Sequence, residues 1–179
     1  MIGTVNFLKP LIGSEKTLLI SCFECFLDSQ ITADPNILNQ TSLANLSYSH
    51  DATHEEIIKY HLEVSGCTKV IIIGDTRCKA IDQLLKAPLS TRYMLGFQRK
   101  LKKILKNNHA DLLAIPSRKR MLVETNVIDR CRTTLEFPCS KKKVAAKMLS
   151  IVGVVISSGT GGRIVFKNGI VLNNLTTMN

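Results

Sequence analysis

Two hydrophobic periods alternate along the chain. Short continuous apolar runs mark strands: residues 16–22 (KTLLISC) form one, and Val70-Ile71-Ile72-Ile73 forms another. The second run is β-branched throughout, as in strands buried on both faces of a parallel sheet. Between them the spacing turns helical from Thr53 onward. Thr53-His54-Glu55-Glu56 reads as a capping box, Ile57, Ile58, His61, Leu62 and Val64 as an apolar stripe, and Gly66 as the left-handed residue that ends the helix. Pro35 and the Asn-rich residues 36–40 predict a loop, and 42–48 a second short strand. Helices are predicted over 79–86, which Pro88 bars from continuing, over 93–107 and over about 119–135, with a strand at 111–115 closed by Pro116. Near the end, 148–156 and 163–166 are apolar and β-rich, and the glycine-rich 157–162 joins them as an antiparallel hairpin. Gly159-Thr160-Gly161-Gly162 lacks the following helix and the Lys-Ser/Thr of a phosphate-binding loop, so it is read as a turn.

Strand, helix and strand with short joins require a right-handed crossover. No internal repeat or linker interrupts the pattern. The expectation is therefore one α/β domain over 1–179, with a mostly parallel central sheet flanked by helices and an antiparallel C-terminal hairpin.

Composition narrows the function classes. Hydrophobic residues make up 45% of the 179, which supports a full core and argues against disorder. Aromatics are 5% with no Trp, which argues against a nucleic-acid binder that stacks bases on rings. The net charge of +10 favours anionic partners, but its clusters at 99–106, 118–120 and 141–147 are read first as solvated faces. Residues 1–21 lack the pattern of a secretory signal, and no apolar stretch is long enough to span a bilayer. A cytoplasmic protein without membrane contact is expected, with its six cysteines reduced and serving as metal ligands, reactive thiols or core fillers.

The chemistry gathers at the end of the best-defined unit. The helix, turn and strand over 53–73 run directly into Gly74-Asp75-Thr76-Arg77-Cys78. Three other segments join it: Leu18-Leu19-Ile20-Ser21-Cys22 near the start, Glu124-Thr125-Asn126-Val127, and Ser150–Ile156 followed by Gly159-Thr160-Gly161. In this order the four segments, spanning about 16–166, resemble the β-class carbonic anhydrases.

The resemblance implies that fold, a homodimer, and zinc-dependent reversible hydration of CO2 to bicarbonate. It implies metal ligands at Cys22, Asp75 and Cys78, with Asp75 standing where the family has histidine. Glu24 takes the place of the catalytic aspartate in the family's Cys-x-Asp-x-Arg, and Phe26 that of its arginine. A second register centres on Asp28-Ser29-Gln30, leaving Cys25 one residue from the ligand position; it lacks the arginine too. The family's Arg-Asn-x-x-Asn segment corresponds to Ala44-Asn45, again without arginine, and its Cys-Gly pair is Cys78-Lys79 here.

Zinc accepts carboxylate oxygen, so a Cys2Asp site is chemically sound, but three anionic ligands make its water less acidic. Glu24, with no guanidinium beside it in the motif, is placed to close the fourth position. Hydration is therefore expected to be weak or lost, and the alternative is a non-catalytic binding module of the same fold without metal. For Asp75 a second role stays open, as the N-cap of the helix that follows. Cys25, Cys67, Cys131 and Cys139 are read as core or incidental thiols. Cys22-x-x-Cys25 has redox-motif spacing but does not open a predicted helix. His54 is read as a surface residue and His61 as a core-edge one; His50 and His109 carry no context.

Overall fold

A computed structural model describes residues 2–25, 27, 29–45, 52–86, 92–107, 115–157 and 161–172. Among the described residues, six strands form one sheet in the order β2-β1-β3-β4-β5-β6. They are β1 (Thr17–Cys22), β2 (Ile37–Ser42), β3 (Lys69–Asp75), β4 (Ser150–Ser157), β5 (Gly161–Lys167) and β6 (Ile170–Val171). The first four are parallel, while β4, β5 and β6 make antiparallel pairs at the C-terminal edge. Among the described residues, seven α-helices surround the sheet: α1 (Ile2–Ile12), α2 (Ser29–Thr32), α3 (Ala52–Glu63), α4 (Lys79–Lys86), α5 (Arg92–Asn107), α6 (Ile115–Glu136) and α7 (Pro138–Ala145). This is the mostly parallel α/β sheet with a C-terminal hairpin that the hydrophobic pattern predicts.

The continuous apolar runs are explained by burial on both sides. Leu18, Ile20, Val70, Ile72, Ile151 and Val155 face one core with Ile58, Leu62, Phe97, Leu101 and Val127. Leu19, Ile71, Ile73, Val152 and Val154 alternate onto the other face, against Leu8 and Ile12 of α1 and Ile31 of α2. The long helix α6 lies very close over β3 and β4. An added Cβ on Gly74 would come within 2.6 Å of γ-methyls of both Val123 and Val127, and one on Gly153 within 2.8 Å of Cys131 Sγ.

Several local expectations are corrected. Residues 37–40, taken as loop, belong to the edge strand β2; Asn39 and Gln40 are poor strand formers, but pairing with β1 and the burial of Ile37 outweigh that preference. The strand expected from 42 instead ends there, in a 3-10 turn over Leu43–Asn45 with Asn45 at φ 55°; 46–48 lie outside the described residues. Helix α3 begins at Ala52, so Thr53 is inside it and not its cap. Its buried face is His54, Ile58 and Leu62, whereas Ile57 and Val64 are exposed. The strand predicted at 111–115 falls outside the described residues except for Ile115, which opens α6. Glu124-Thr125-Asn126-Val127 lies in the middle of α6, inside the helix expected over about 119–135, which starts four residues earlier at Ile115. Helices α1 and α7 carry no clear sequence signal, α1 even enclosing Pro10. No described helix is long and apolar enough to cross a membrane.

Candidate functional site

The chain adds β2 on one side of β1 and then crosses to add β3 on the other. Such a reversal of strand order leaves a crevice beyond the carboxyl ends of the two strands, where open α/β sheets bind their ligands. Ser21 pairs with Ile73, so Cys22 and Asp75 emerge at that same end. Cys78 follows one turn later, at the head of α4.

The two ligand cysteines of the resemblance meet there. Cys78 Sγ donates to Cys22 Sγ across 3.2 Å, and both residues are buried. The Glu24 backbone N–H also points at Cys22 Sγ, at 3.4 Å. The hydrogen bond to Cys22 and then burial push the Cys78 thiol well up, while the backbone amides of Ile81 and Ala80 at the start of α4 pull the other way.

Asp75 takes a different course. Its Oδ1 accepts from the Arg77 backbone N–H at 2.8 Å and from Arg77 Nε at 3.0 Å, and its Oδ2 accepts from Arg77 Nε at 3.2 Å and from the terminal Nη2 at 2.7 Å. The carboxylate is buried and the guanidinium half exposed, and the hydrogen bond to Asp75 raises the Arg77 pKa. This fork is an Asp-x-Arg pair, supplied two residues along from Asp75 itself. Sequence reasoning missed Arg77, although Asp75-Thr76-Arg77 has the same spacing as the dyad sought after the first cysteine. Asp75 caps the local turn and not α4: the Ala80 N–H of that helix donates to Glu24 Oε2 at 2.6 Å. Glu24, placed by the resemblance as the catalytic carboxylate, thus serves as a helix cap. Cys25 is half-buried with its thiol 3.9 Å from Asp75 Oδ2; burial, then the charges of Asp75 and Cys78, push it up to about 12. Phe26, Asp28, His50 and His109 lie outside the described residues.

Cys22, Asp75, Cys78 and Gly74 line a small cavity with Asn45 and Asn126 on its polar side. Its volume is about 10 Å³, room for roughly one water molecule. Asn45 Nδ2 donates to Ile73 O and its backbone O accepts from Asn126 Nδ2, each at 3.4 Å, while Asn45 Oδ1 is buried with no hydrogen-bond partner among the described residues. A polar acceptor left open beside paired thiols is a feature of a ligand site more than of a core.

Residues 18–163 match the family model described as Carbonic anhydrase. The chain belongs to the carbonic anhydrase family. Solved β-carbonic anhydrases are similar to it in fold. One of two tetrameric β-carbonic anhydrases from Sordaria macrospora is 17% identical, with TM-score 0.72 over 90% of this chain and 86% of that one. CafA of Aspergillus fumigatus is 18% identical, with TM-score 0.71 over 84% and 74%. The Coccomyxa enzyme, solved with acetazolamide, is 19% identical, with TM-score 0.69 over 87% and 75%. No curated protein sequence matches the chain.

Carbonic anhydrases of this kind use zinc, and the donor set here fits it in part. Cys22 and Cys78 fit: two buried sulfurs side by side suit one borderline-soft cation. Asp75 does not fit as it stands, because Arg77 engages both of its oxygens. Among the described residues, no three His, Cys, Asp or Glu side chains are gathered as a ready metal site.

A second buried polar cluster went unread in the sequence. His54, expected at the surface, is 5% exposed, because helix α3 turns it inward toward β2 and α6. Arg130 donates to His54 Nδ1 at 2.8 Å, and Gln40 Nε2 lies 3.3 Å from the same nitrogen. Two donors aimed at one ring nitrogen require it to be an acceptor. Burial and then the Arg130 charge lower the His54 pKa to about 3, so the ring is neutral near pH 7.

Proposed function

We propose that this chain is a β-carbonic anhydrase domain in which zinc-dependent CO2 hydration is weak or lost. One observation carries the reading: the residue in the histidine's place, Asp75, is a carboxylate already bound on both oxygens by Arg77. A zinc ion held here would supply an acidified water, less acidic than the pKa of about 7 typical of catalytic zinc because all three of its protein ligands would be anionic. Holding it with Cys22, Asp75 and Cys78 requires Asp75 to leave Arg77, and it then sets three anions around the cation. Glu24, occupied by the Ala80 amide, is not free to act on a bound molecule without uncapping α4. The same observation favours the fold's retention as a non-catalytic binding module over a merely slow enzyme.

Elemental analysis of the purified chain, paired with stopped-flow CO2 hydration in added zinc, tests the reading. Background-level hydration is the expected result. Zinc-dependent hydration in the native chain as fast as in Asp75→His, or faster, refutes it. Asp75→His separates the causes: recovered zinc and activity assign the loss to the ligand alone, while no recovery assigns it also to the missing arginine after Cys22 and to Lys79. We carry self-association over as well, since the Sordaria macrospora proteins are tetrameric; light scattering on the eluted protein tests it.

A further inference from the structure

We infer that the outer face of α5 is a docking surface for the phosphate backbone of a nucleic-acid duplex. It is separate from the cavity at the strand ends, which no described residue of α5 lines, and it rests on neither outcome of the hydration assay.

Helix α5 carries basic residues and no acidic one. At about 100° and 1.5 Å of rise per residue, Arg99, Lys102, Lys103 and Lys106 fall within about 100° of the helix circumference and form one stripe about 10 Å long. All four are exposed. Phe97, Leu101 and Ile104 project from the opposite side into the core, which holds the stripe facing outward. Lys100 leaves the stripe: it is half-buried, close to the charges of Asp129 and Arg130 on α6.

A merely solvated face is built differently. There, cations alternate with carboxylates three or four residues away, as Arg120 does with Glu124 on α6 at 2.9 Å and Lys59 with Glu56 on α3 at 3.9 Å. On α5 the neighbours at those spacings are cations: Arg99 and Lys106 each meet Lys102 and Lys103. Such like-charge pairs oppose the helix, and only Lys106 stands in the last turn, where the helix dipole favours a cation. Among the described residues, none of the four has a salt-bridge partner. An external polyanion relieves this repulsion.

Charge and shape choose among polyanions. A duplex carries about one charge per 1.7 Å of its axis, so the stripe faces roughly six phosphates. That array is rigid before it binds, whereas an acidic peptide must be ordered on binding. An anionic bilayer is a poorer match, because firm attachment also needs apolar side chains in the interface, and Phe97, Leu101 and Ile104 are buried in the core. Single strands are held largely by stacking on aromatic side chains, and none stands in the stripe. Contacts to phosphate carry no base preference.

The test is fluorescence anisotropy of a labelled, mixed-sequence DNA duplex of about 20 base pairs titrated with the full chain. With four phosphate contacts, binding should weaken about 100-fold as salt rises from about 50 to 200 mM. Lys102→Gln with Lys106→Gln should weaken binding about tenfold or more at the lower salt and reduce the magnitude of the salt slope by about two. Lys102→Arg with Lys106→Arg should bind within about twofold of the native chain. Lys141→Gln with Lys142→Gln removes the same charge from α7 and should stay within about threefold, which separates the stripe from net charge. A duplex of shuffled sequence should bind equally. Circular dichroism melts show that each variant is folded. No binding at the lower salt, the same loss from the α7 pair as from the α5 pair, or tighter binding to polyglutamate or to vesicles of one part phosphatidylserine to two of phosphatidylcholine overturns the assignment.

Discussion

Replacing Gly74 with alanine tests the packing that sets the pocket. A Cβ at this position lands 2.6 Å from Val123 Cγ1 and 2.6 Å from Val127 Cγ2. Carbon atoms prefer about 3.5–4.0 Å, so each contact is short by about 1 Å. Little nearby can yield. Strand β3 is hydrogen-bonded to β1 on one side and β4 on the other. Both valines are β-branched, stiff at χ1 on a helix, and buried. Relief must come from lifting α6 off the sheet, which places the cost toward the top of the overpacking range, about 2–3 kcal/mol. At about 2–4 °C per kcal/mol for a domain of this size, Tm should fall by roughly 4–12 °C. Thermal and urea unfolding followed by circular dichroism measure it. Val127→Ala in the Gly74→Ala background should recover part of the loss, because the two sites share one contact. Gly66→Ala should also destabilise, by about 1–2 kcal/mol, but through its φ of +74° and with nothing in contact, so Val127→Ala should not rescue it. A Tm for Gly74→Ala within experimental error of the native value, or equal rescue of both glycine variants, would refute the close-approach argument.

Three further outcomes are expected. Because the His54 pKa is lowered from 6.5 to about 3, the unfolded chain binds the extra proton first; stability from this group is full above about pH 6.5 and is lost as pH falls toward 3, at up to about 1.4 kcal/mol per pH unit. His54→Gln should flatten that slope in urea melts taken across the window, and an unchanged slope would count against it. Glu24→Ala should lower the urea midpoint by the equivalent of about 1 kcal/mol through loss of the α4 cap, while Glu24→Gln, which keeps an acceptor for Ala80, should cost less; equal costs would show that the cap contributes nothing. Lys143→Met should destabilise the C-terminus of α3, where Lys143 Nζ donates to Leu62 O at 2.9 Å, by about 0.5–1 kcal/mol, measured as slower protection loss in the native chain by hydrogen exchange at Val64 to Cys67.

The elements legible in the sequence are those whose information is local. Val70–Ile73 announces a buried parallel strand by composition alone, and Gly66, which does stand at positive φ, punctuates the helix before it. The span of α4 matches the 79–86 expectation for the same reason. Strand β2 was hidden because its residues are loop-like taken singly; only Ile37 is buried, and β1 supplies the ladder. The inward turn of His54 was hidden because the groups that receive it, Gln40 and Arg130, lie on separate elements. Arg77 illustrates a middle case. Its spacing from Asp75 is plain in the chain, but whether a guanidinium folds back or stays in water depends on how deeply the carboxylate is buried.

Residue order alone was enough to specify which side chains alternate and where helices are punctuated, since each is a matter of neighbours along the backbone. That Cys22 and Cys78, 56 positions apart, touch through their sulfurs was decided by the β1–β3 register. That Asp75 faces Arg77 and Glu24 caps α4 was decided by burial, which makes an unsatisfied charge or amide too costly and forces each to find the nearest partner in space.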